Sequence, residues 1–284
     1  MRIVVASGKG GTGKTTVATS LALVAAEQEP VRFMDCDVEA PTAGLFLDPA
    51  LETRKEVGIL IPQVDESTCT FCGKCSEVCQ FHAIAVIGKK TLVFPELCHG
   101  CGSCTLVCPE KAISEQLDVM GVLESGPAAN GIEFIQGVMN VGEPMALPII
   151  RELKKWESVN PYAIEIRDAP PGASCPVVET IRGADFVLLV TEPTPFGLHD
   201  LKQVAEITRE LGLPTGVIIN RDGIGDNTVE TYCNENGLPI LMRIPMERRI
   251  AEAIASGKLL VEAAPEYYPA FQSLLDSIAV RAGI

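Results

Sequence analysis

Eight consecutive residues near the start, Gly8-Lys9-Gly10-Gly11-Thr12-Gly13-Lys14-Thr15, restrict what this chain can become more than any other stretch. They follow residues 2 to 7, a largely β-branched apolar run of the kind that a buried parallel strand uses. They open Thr15 to Ala26, an Ala/Leu/Val-rich segment without internal glycine or proline, which predicts a helix. Strand, glycine loop and helix in that order form a phosphate cradle. The backbone N–H groups of Gly10, Gly11, Thr12, Gly13, Lys14 and Thr15, with Thr16 just beyond, face an anion at the positive end of the helix. Lys14 then reaches the β- and γ-phosphates of a nucleotide, and the Thr15 hydroxyl reaches Mg²⁺. A second short apolar run, Val31 to Met34, ends in Asp35-Cys36-Asp37 and completes a strand–loop–helix–strand unit, which builds a parallel sheet through a right-handed crossover.

The alternation resumes in the second half. Strands are expected at Tyr162 to Arg167, Asp185 to Val190, Thr215 to Asn220 and Ile240 to Ile244. Helices are expected at Val177 to Arg182, Leu198 to Leu211 and Thr228 to Asn236, and two more near Arg248 to Ser256 and Ala270 to Ala282 close the chain. The fold class is therefore α/β, a mainly parallel sheet with helices on both faces. Residues 63 to 115 break the pattern, so the chain divides into 1–62 plus 116–284 and an inserted 63–115 module. Glycine-punctuated apolar stretches from Leu117 to Gly142 return the chain to the main sheet as strands.

The insert holds eight of the eleven cysteines. Met1 to Ala6 runs straight into the glycine loop and leaves no room for a signal peptide, and no apolar run is long enough to span a bilayer, so a cytoplasmic location is expected. There, cysteines at fixed spacing point to metal ligation or redox chemistry rather than to disulfides. Cys69, Cys72, Cys75, Cys79 and Ile84 recur 29 residues later as Cys98, Cys101, Cys104, Cys108 and Ile113. A Cys-x-x-Cys-x-x-Cys loop wraps three corners of a cubane, and the fourth thiolate comes from a segment leaving the other way. Zinc, the alternative, favours two Cys-x-x-Cys pairs separated by a longer loop, so the repeat fits iron–sulfur clusters better.

The insert resembles the two-cluster bacterial ferredoxins over essentially its whole length, and is expected to be a small α+β module. The resemblance implies that Cys69, Cys72, Cys75 and Cys108 hold one [4Fe–4S] cluster and that Cys98, Cys101, Cys104 and Cys79 hold the other. Pro109 follows the last cysteine as in that family, whereas Gln80 replaces proline in the first half. The departure concerns turn shape and not ligation. Electron transfer is the expected role, against the alternative that the clusters merely staple a segment too small to build its own core.

Lys9, placed just after the first glycine, makes the phosphate loop resemble the deviant Walker A of the MinD/ParA family, which includes the nitrogenase iron protein and Mrp-like ATPases. The resemblance covers residues 1 to about 62 and 145 to 264. It implies ATP or ADP with Mg²⁺ as ligand, ATP hydrolysis, and an ATP-dependent homodimer in which Lys9 crosses to the partner's phosphates. Asp37 matches the switch I aspartate that positions the attacking water. Asp168, in Asp168-Ala169-Pro170-Pro171-Gly172, matches the switch II aspartate that holds Mg²⁺ through water. Asn220, with Arg221 beside it, falls where the family reads adenine, and Ile244 to Gly257 resembles the segment beside the base. The role of Thr42 is left open. Cys175 lies at the offset where the nitrogenase iron protein carries a bridging cluster ligand. Cys36 and Cys233 are the only other cysteines outside the repeats, so Cys175 is read as a small buried hydrophobe.

Net charge settles some partners. With 37 acidic against 23 basic residues the chain carries −14, which disfavours nucleic acid. The tail from Pro269 to Ile284 is amphipathic but has Arg281 as its one basic residue, so no stable membrane association is expected. Three readings follow: an ATPase gating electron flow to a redox or metallocofactor protein, an ATP-dependent cluster or metallocofactor assembly factor, and a positioning ATPase whose clusters sense redox state.

Overall fold

The computed structural model describes residues 1–158 and 161–284. Eleven strands are seen among them: β1 (Arg2–Ala6), β2 (Val31–Asp35), β3 (Thr53–Val64), β4 (Ile84–Ile87), β5 (Lys90–Val93), β6 (Ile113–Pro127), β7 (Glu133–Met139), β8 (Ile164–Asp168), β9 (Phe186–Thr191), β10 (Thr215–Asp222) and β11 (Ile240–Pro245). Nine form one sheet in the order β11-β10-β9-β1-β8-β2-β7-β6-β3. Pairing is parallel from β11 to β7 and antiparallel at β7–β6 and β6–β3.

The apolar run of β1 is continuous because both of its faces are covered. Ile3 and Val5 face the helices Lys14–Ala26 and Tyr268–Ala282, among Val17, Leu21, Phe33, Phe271 and Leu274. Val4 and Ala6 face Cys175–Ile181, Pro195–Glu210 and Thr228–Glu235, among Val177, Leu189, Leu201 and Val204. A third cluster, Met34, Cys36, Val38, Met120, Leu123 and Ile135, lies under the helix Leu147–Lys154. The expected helix at Leu198 begins earlier, at Pro195. Thr194 caps it by accepting the Gly197 N–H at 3.0 Å, and proline at the first helical position loses no hydrogen bond.

The long β3–β6 ribbon runs through both expected module boundaries without a linker, pairing Thr53 with Ser125 at one end and Val64 with Ile113 at the other. A bulge interrupts it between Val57 and Gly58, where a Cβ on Gly58 would lie 1.7 Å from the Asp118 carbonyl oxygen. Beyond the ribbon tip the chain folds around a hairpin, β4–β5, flanked by the short helices Lys74–Val78 and Ser103–Val107. This region repeats itself in backbone as well as sequence. The Val64–Ile113 pair corresponds to the Val93–Ile84 pair at the 29-residue offset. Left-handed residues recur in register: Phe71 with Gly100, Gly73 with Gly102, His82 with Lys111.

Candidate functional site

The carboxyl ends of β1, β2, β8 and β10 converge on a cleft of about 720 Å³. Its floor is the glycine loop Gly10 to Thr16, and Asp37, Thr42, Asn220 and Arg221 line its sides. Leu45 and Phe46 stand on one wall, with Ile244, Met246, Ile250 and Ile254 among its apolar lining. A polar floor beneath an apolar slot suits phosphates below a flat base. The Thr12 hydroxyl is buried with no partner among the described residues, as a group awaiting an anion would be.

Lys14 is buried and pairs with Asp168 Oδ1 at 2.6 Å, while the Thr15 hydroxyl donates to Asp168 Oδ2 at 2.6 Å. Burial pulls the Lys14 ammonium down, but Asp168, with Asp35 and Asp37 behind it, outweighs this and holds it above its ordinary value. Asp37 is raised by burial, with Lys14 opposing and Asp168 reinforcing. Asn220 donates through Nδ2 to the Thr12 carbonyl at 2.7 Å. A Cβ on Gly13, whose φ is +89°, would lie 2.3 Å from that amide nitrogen.

Two carboxylates beside the loop escape sequence reasoning. Asp35, fully buried at the end of β2, accepts the backbone N–H groups of Asp37 (3.1 Å), Thr42 (3.0 Å) and Ala43 (2.9 Å), which pins the chain after β2. Burial first and Asp168 second push its carboxyl up to about 7, against those three donors. Thr42, whose role the sequence leaves open, thus contributes its N–H here. Glu192 follows β9 directly, buried, with Lys9 Nζ 3.0 Å from Oε2 and Arg221 Nη1 2.5 Å from Oε1. Only their strand-end positions hinted at them.

The cysteines of the insert separate into two cavities. Cys69, Cys72, Cys75 and Cys108 line one, with Val64, Val86 and Ile113. Cys79, Cys98, Cys101 and Cys104 line the other, with Leu60, Pro62 and Ile84. Backbone N–H groups aim at sulfur at matched positions: Phe71 to Cys69 (3.4 Å), Gly100 to Cys98 (3.4 Å), Ala83 to Cys79 (3.3 Å) and Ala112 to Cys108 (3.3 Å). Burial pushes the Cys75 and Cys104 thiols up, and the Ser103 hydroxyl holds Cys101 down. Among the described residues no three His, Cys, Asp or Glu side chains are placed to share one metal ion. Four sulfurs around a cavity suit a cluster with one iron per thiolate better than a single zinc.

One expectation fails. Cys175 is exposed, not a buried hydrophobe. It is the first residue of its helix, ahead of Val177, Thr180 and Ile181, which are the ones buried. The buried cysteines outside the insert are Cys36, pushed up to about 12 by burial, and Cys233, pushed up to about 11 for the same reason. No helix among the described residues is long and apolar enough to cross a membrane.

A family model described as the CobQ/CobB/MinD/ParA nucleotide binding domain matches residues 3–261. An uncharacterized protein of Methanocaldococcus jannaschii is 32% identical over 259 residues, covering 91% of this chain and 90% of that protein. A cytosolic Fe-S cluster assembly factor of Anopheles gambiae, a Nubp2 homologue, is 23% identical over 286 residues, covering 93% and 90%. Among solved structures, the septum site-determining protein MinD of Pyrococcus horikoshii, complexed with Mg-ADP, superposes with a TM-score of 0.59. It is 21% identical, with 99% of this chain and 97% of that one covered.

Proposed function

The chain belongs to the CobQ/CobB/MinD/ParA family of nucleotide-binding P-loop ATPases, and from that premise we propose that it couples ATP hydrolysis to electron transfer through two [4Fe–4S] clusters. The observation that carries this is the sorting of the eight repeat cysteines into two cavities at the tip of a ribbon continuous with the ATPase sheet. The clusters supply one-electron carriage when bound. In the proposal Cys69, Cys72, Cys75 and Cys108 hold one, and Cys98, Cys101, Cys104 and Cys79 the other. Matched N–H donors offset thiolate charge in each set.

At the cleft, Gly10 to Thr15 cradle the phosphates of ATP, and Thr15 and Asp168 serve Mg²⁺, Asp168 through water. Lys14 must exchange Asp168 for phosphate oxygen, a swap of one anionic partner for another that keeps the buried ammonium paired. Asp37 orients the attacking water, Asn220 and Arg221 flank the base, and Lys9 reaches the phosphates of a second copy. The packing supports such coupling. Val38, next to Asp37, accepts the Met139 N–H at 2.8 Å and lies against Gly137 of β7. β7 pairs with β6, and β6 with β3, whose Leu60 and Pro62 line the second cysteine cavity.

Anaerobic purification, iron analysis and EPR with and without Mg-ATP test the reading. Two four-iron clusters whose potentials, or electron delivery to an acceptor, change with ATP support it, and identical behaviour with ADP and ATP counts against coupling. A second reading, cluster or metallocofactor delivery, is favoured by the similarity to an assembly factor. Clusters that pass to an apo-protein only with ATP would favour that one.

A further inference from the structure

Glu192 takes no part in the chemistry above, yet it is the buried group that holds Lys9. Its backbone is fixed: its carbonyl accepts the Thr194 N–H at 2.8 Å, and Gly197 lies so close that a Cβ there would stand 2.2 Å from the same oxygen. From this fixed base the carboxylate meets two cations, Lys9 through Oε2 and Arg221 through Oε1, and Arg221 also donates to the Gly11 carbonyl at 3.0 Å. The two cations are unequal. Each has Glu192 as its single ion-pair partner among the described residues and each is partly exposed, but Arg221 has a second anchor in the Gly11 carbonyl, which the Lys9 ammonium lacks.

We propose that Glu192 is a positioning residue that holds Lys9 against its own chain and releases it only to the phosphates of a second copy. The arrangement makes release cheap. When Lys9 leaves, Arg221 still neutralises the buried carboxylate, so no orphaned charge remains. A triphosphate on the facing chain outbids one shared carboxylate, while a chain without such a partner keeps Lys9 folded back. Glu192 thereby opposes dimerisation until both copies carry nucleotide. This rests on reading Lys9 as the residue that crosses between chains.

Glu192→Gln removes the charge from both pairs, but Arg221 keeps its second anchor on the Gly11 carbonyl, whereas Lys9 keeps at most a neutral hydrogen bond. A partly exposed ion pair is worth about fivefold, so losing one on each chain should tighten the dimer about 25-fold. Sedimentation velocity with a non-hydrolysable ATP analogue measures this on the iron-loaded chain. In the nucleotide-free monomer, acylation of the Lys9 amine, followed by mass spectrometry, should accelerate in Glu192→Gln. A dimer constant unchanged or weakened, or an unchanged Lys9 acylation rate, overturns the latch. So does a variant whose loss lies in ADP affinity of the dilute monomer. If Lys9→Ala abolishes the dimer while Glu192→Gln leaves it alone, the latch fails and the Lys9 reading stands. If Lys9→Ala does not affect the dimer, both fall.

Discussion

Which cysteines share a cavity can be tested without locating any iron. Cys79 belongs in sequence to the first half of the repeat, yet it lines the cavity of Cys98, Cys101 and Cys104, and Cys108 crosses in the opposite sense. Two double substitutions exploit this. Cys79→Ala with Cys98→Ala removes two ligands from one cavity and leaves all four in the other. One intact cluster should survive, about four of about eight irons. Cys79→Ala with Cys72→Ala removes one ligand from each cavity, and neither cluster keeps its full set. If each half of the repeat instead built its own cluster, the two outcomes would be exchanged. Mössbauer spectroscopy on anaerobically purified chains counts intact four-iron clusters and separates them from three-iron remnants that a single missing thiolate leaves. Two damaged clusters in the Cys79/Cys98 pair, together with one intact in the Cys79/Cys72 pair, would refute the crossed assignment.

Three further outcomes are expected at the cleft. Asp37→Ala should lower the ATPase rate by about 10²-fold or more with ADP affinity retained, checked by phosphate release and a fluorescent nucleotide. Gly13→Ala combines a left-handed backbone with a Cβ 2.3 Å from the Asn220 amide, so it should weaken ADP binding about tenfold or more, and an unchanged affinity would contradict the geometry. Asp35, held up at about 7 against an ordinary 3.8, favours folding in its neutral form, so the stability it brings is full below 3.8 and lost as pH rises through 7. Urea midpoints of the nucleotide-free chain should fall from about pH 5 to about pH 7 and level off above, and Asp35→Asn should remove that slope.

Much of this was legible because the relevant signals are local. Gly8 to Thr15 had to follow a strand and open a helix, and the observed β1 and the helix from Lys14 sit within a residue or two of expectation. The continuous apolar run of β1 announced a strand covered on both faces. The β3–β6 ribbon was harder. Thr53 to Val64 carried no strand expectation, since it mixes Arg54, Lys55 and Glu56 with Pro62, and the exposed edge position is what tolerates them. Asp35 and Glu192 were invisible for another reason. A carboxylate at a strand end looks the same whether it is solvated or, as here, gathers amides or cations from residues distant in sequence. Cys175 shows the converse error, since a lone cysteine carries no periodic signal that says which way it faces.

The bulge at Val57 and Gly58 has a mechanical consequence. From Gly58 to Val64 the ribbon reaches about 20 Å at roughly 3.3 Å per residue, with no hinge loop between it and the cysteine cavities. It would act as a lever arm with the bulge as fulcrum, opposite Gly121 of β6, whose β7 partner Met139 donates to the Val38 carbonyl. A tilt of about 5° at the fulcrum moves the tip by about 2 Å over that length. Electron tunnelling falls off steeply with separation, so a displacement of that size would work as a throttle between the module and whatever docks against it. The nucleotide would then set a distance, and the clusters themselves would need no chemical change.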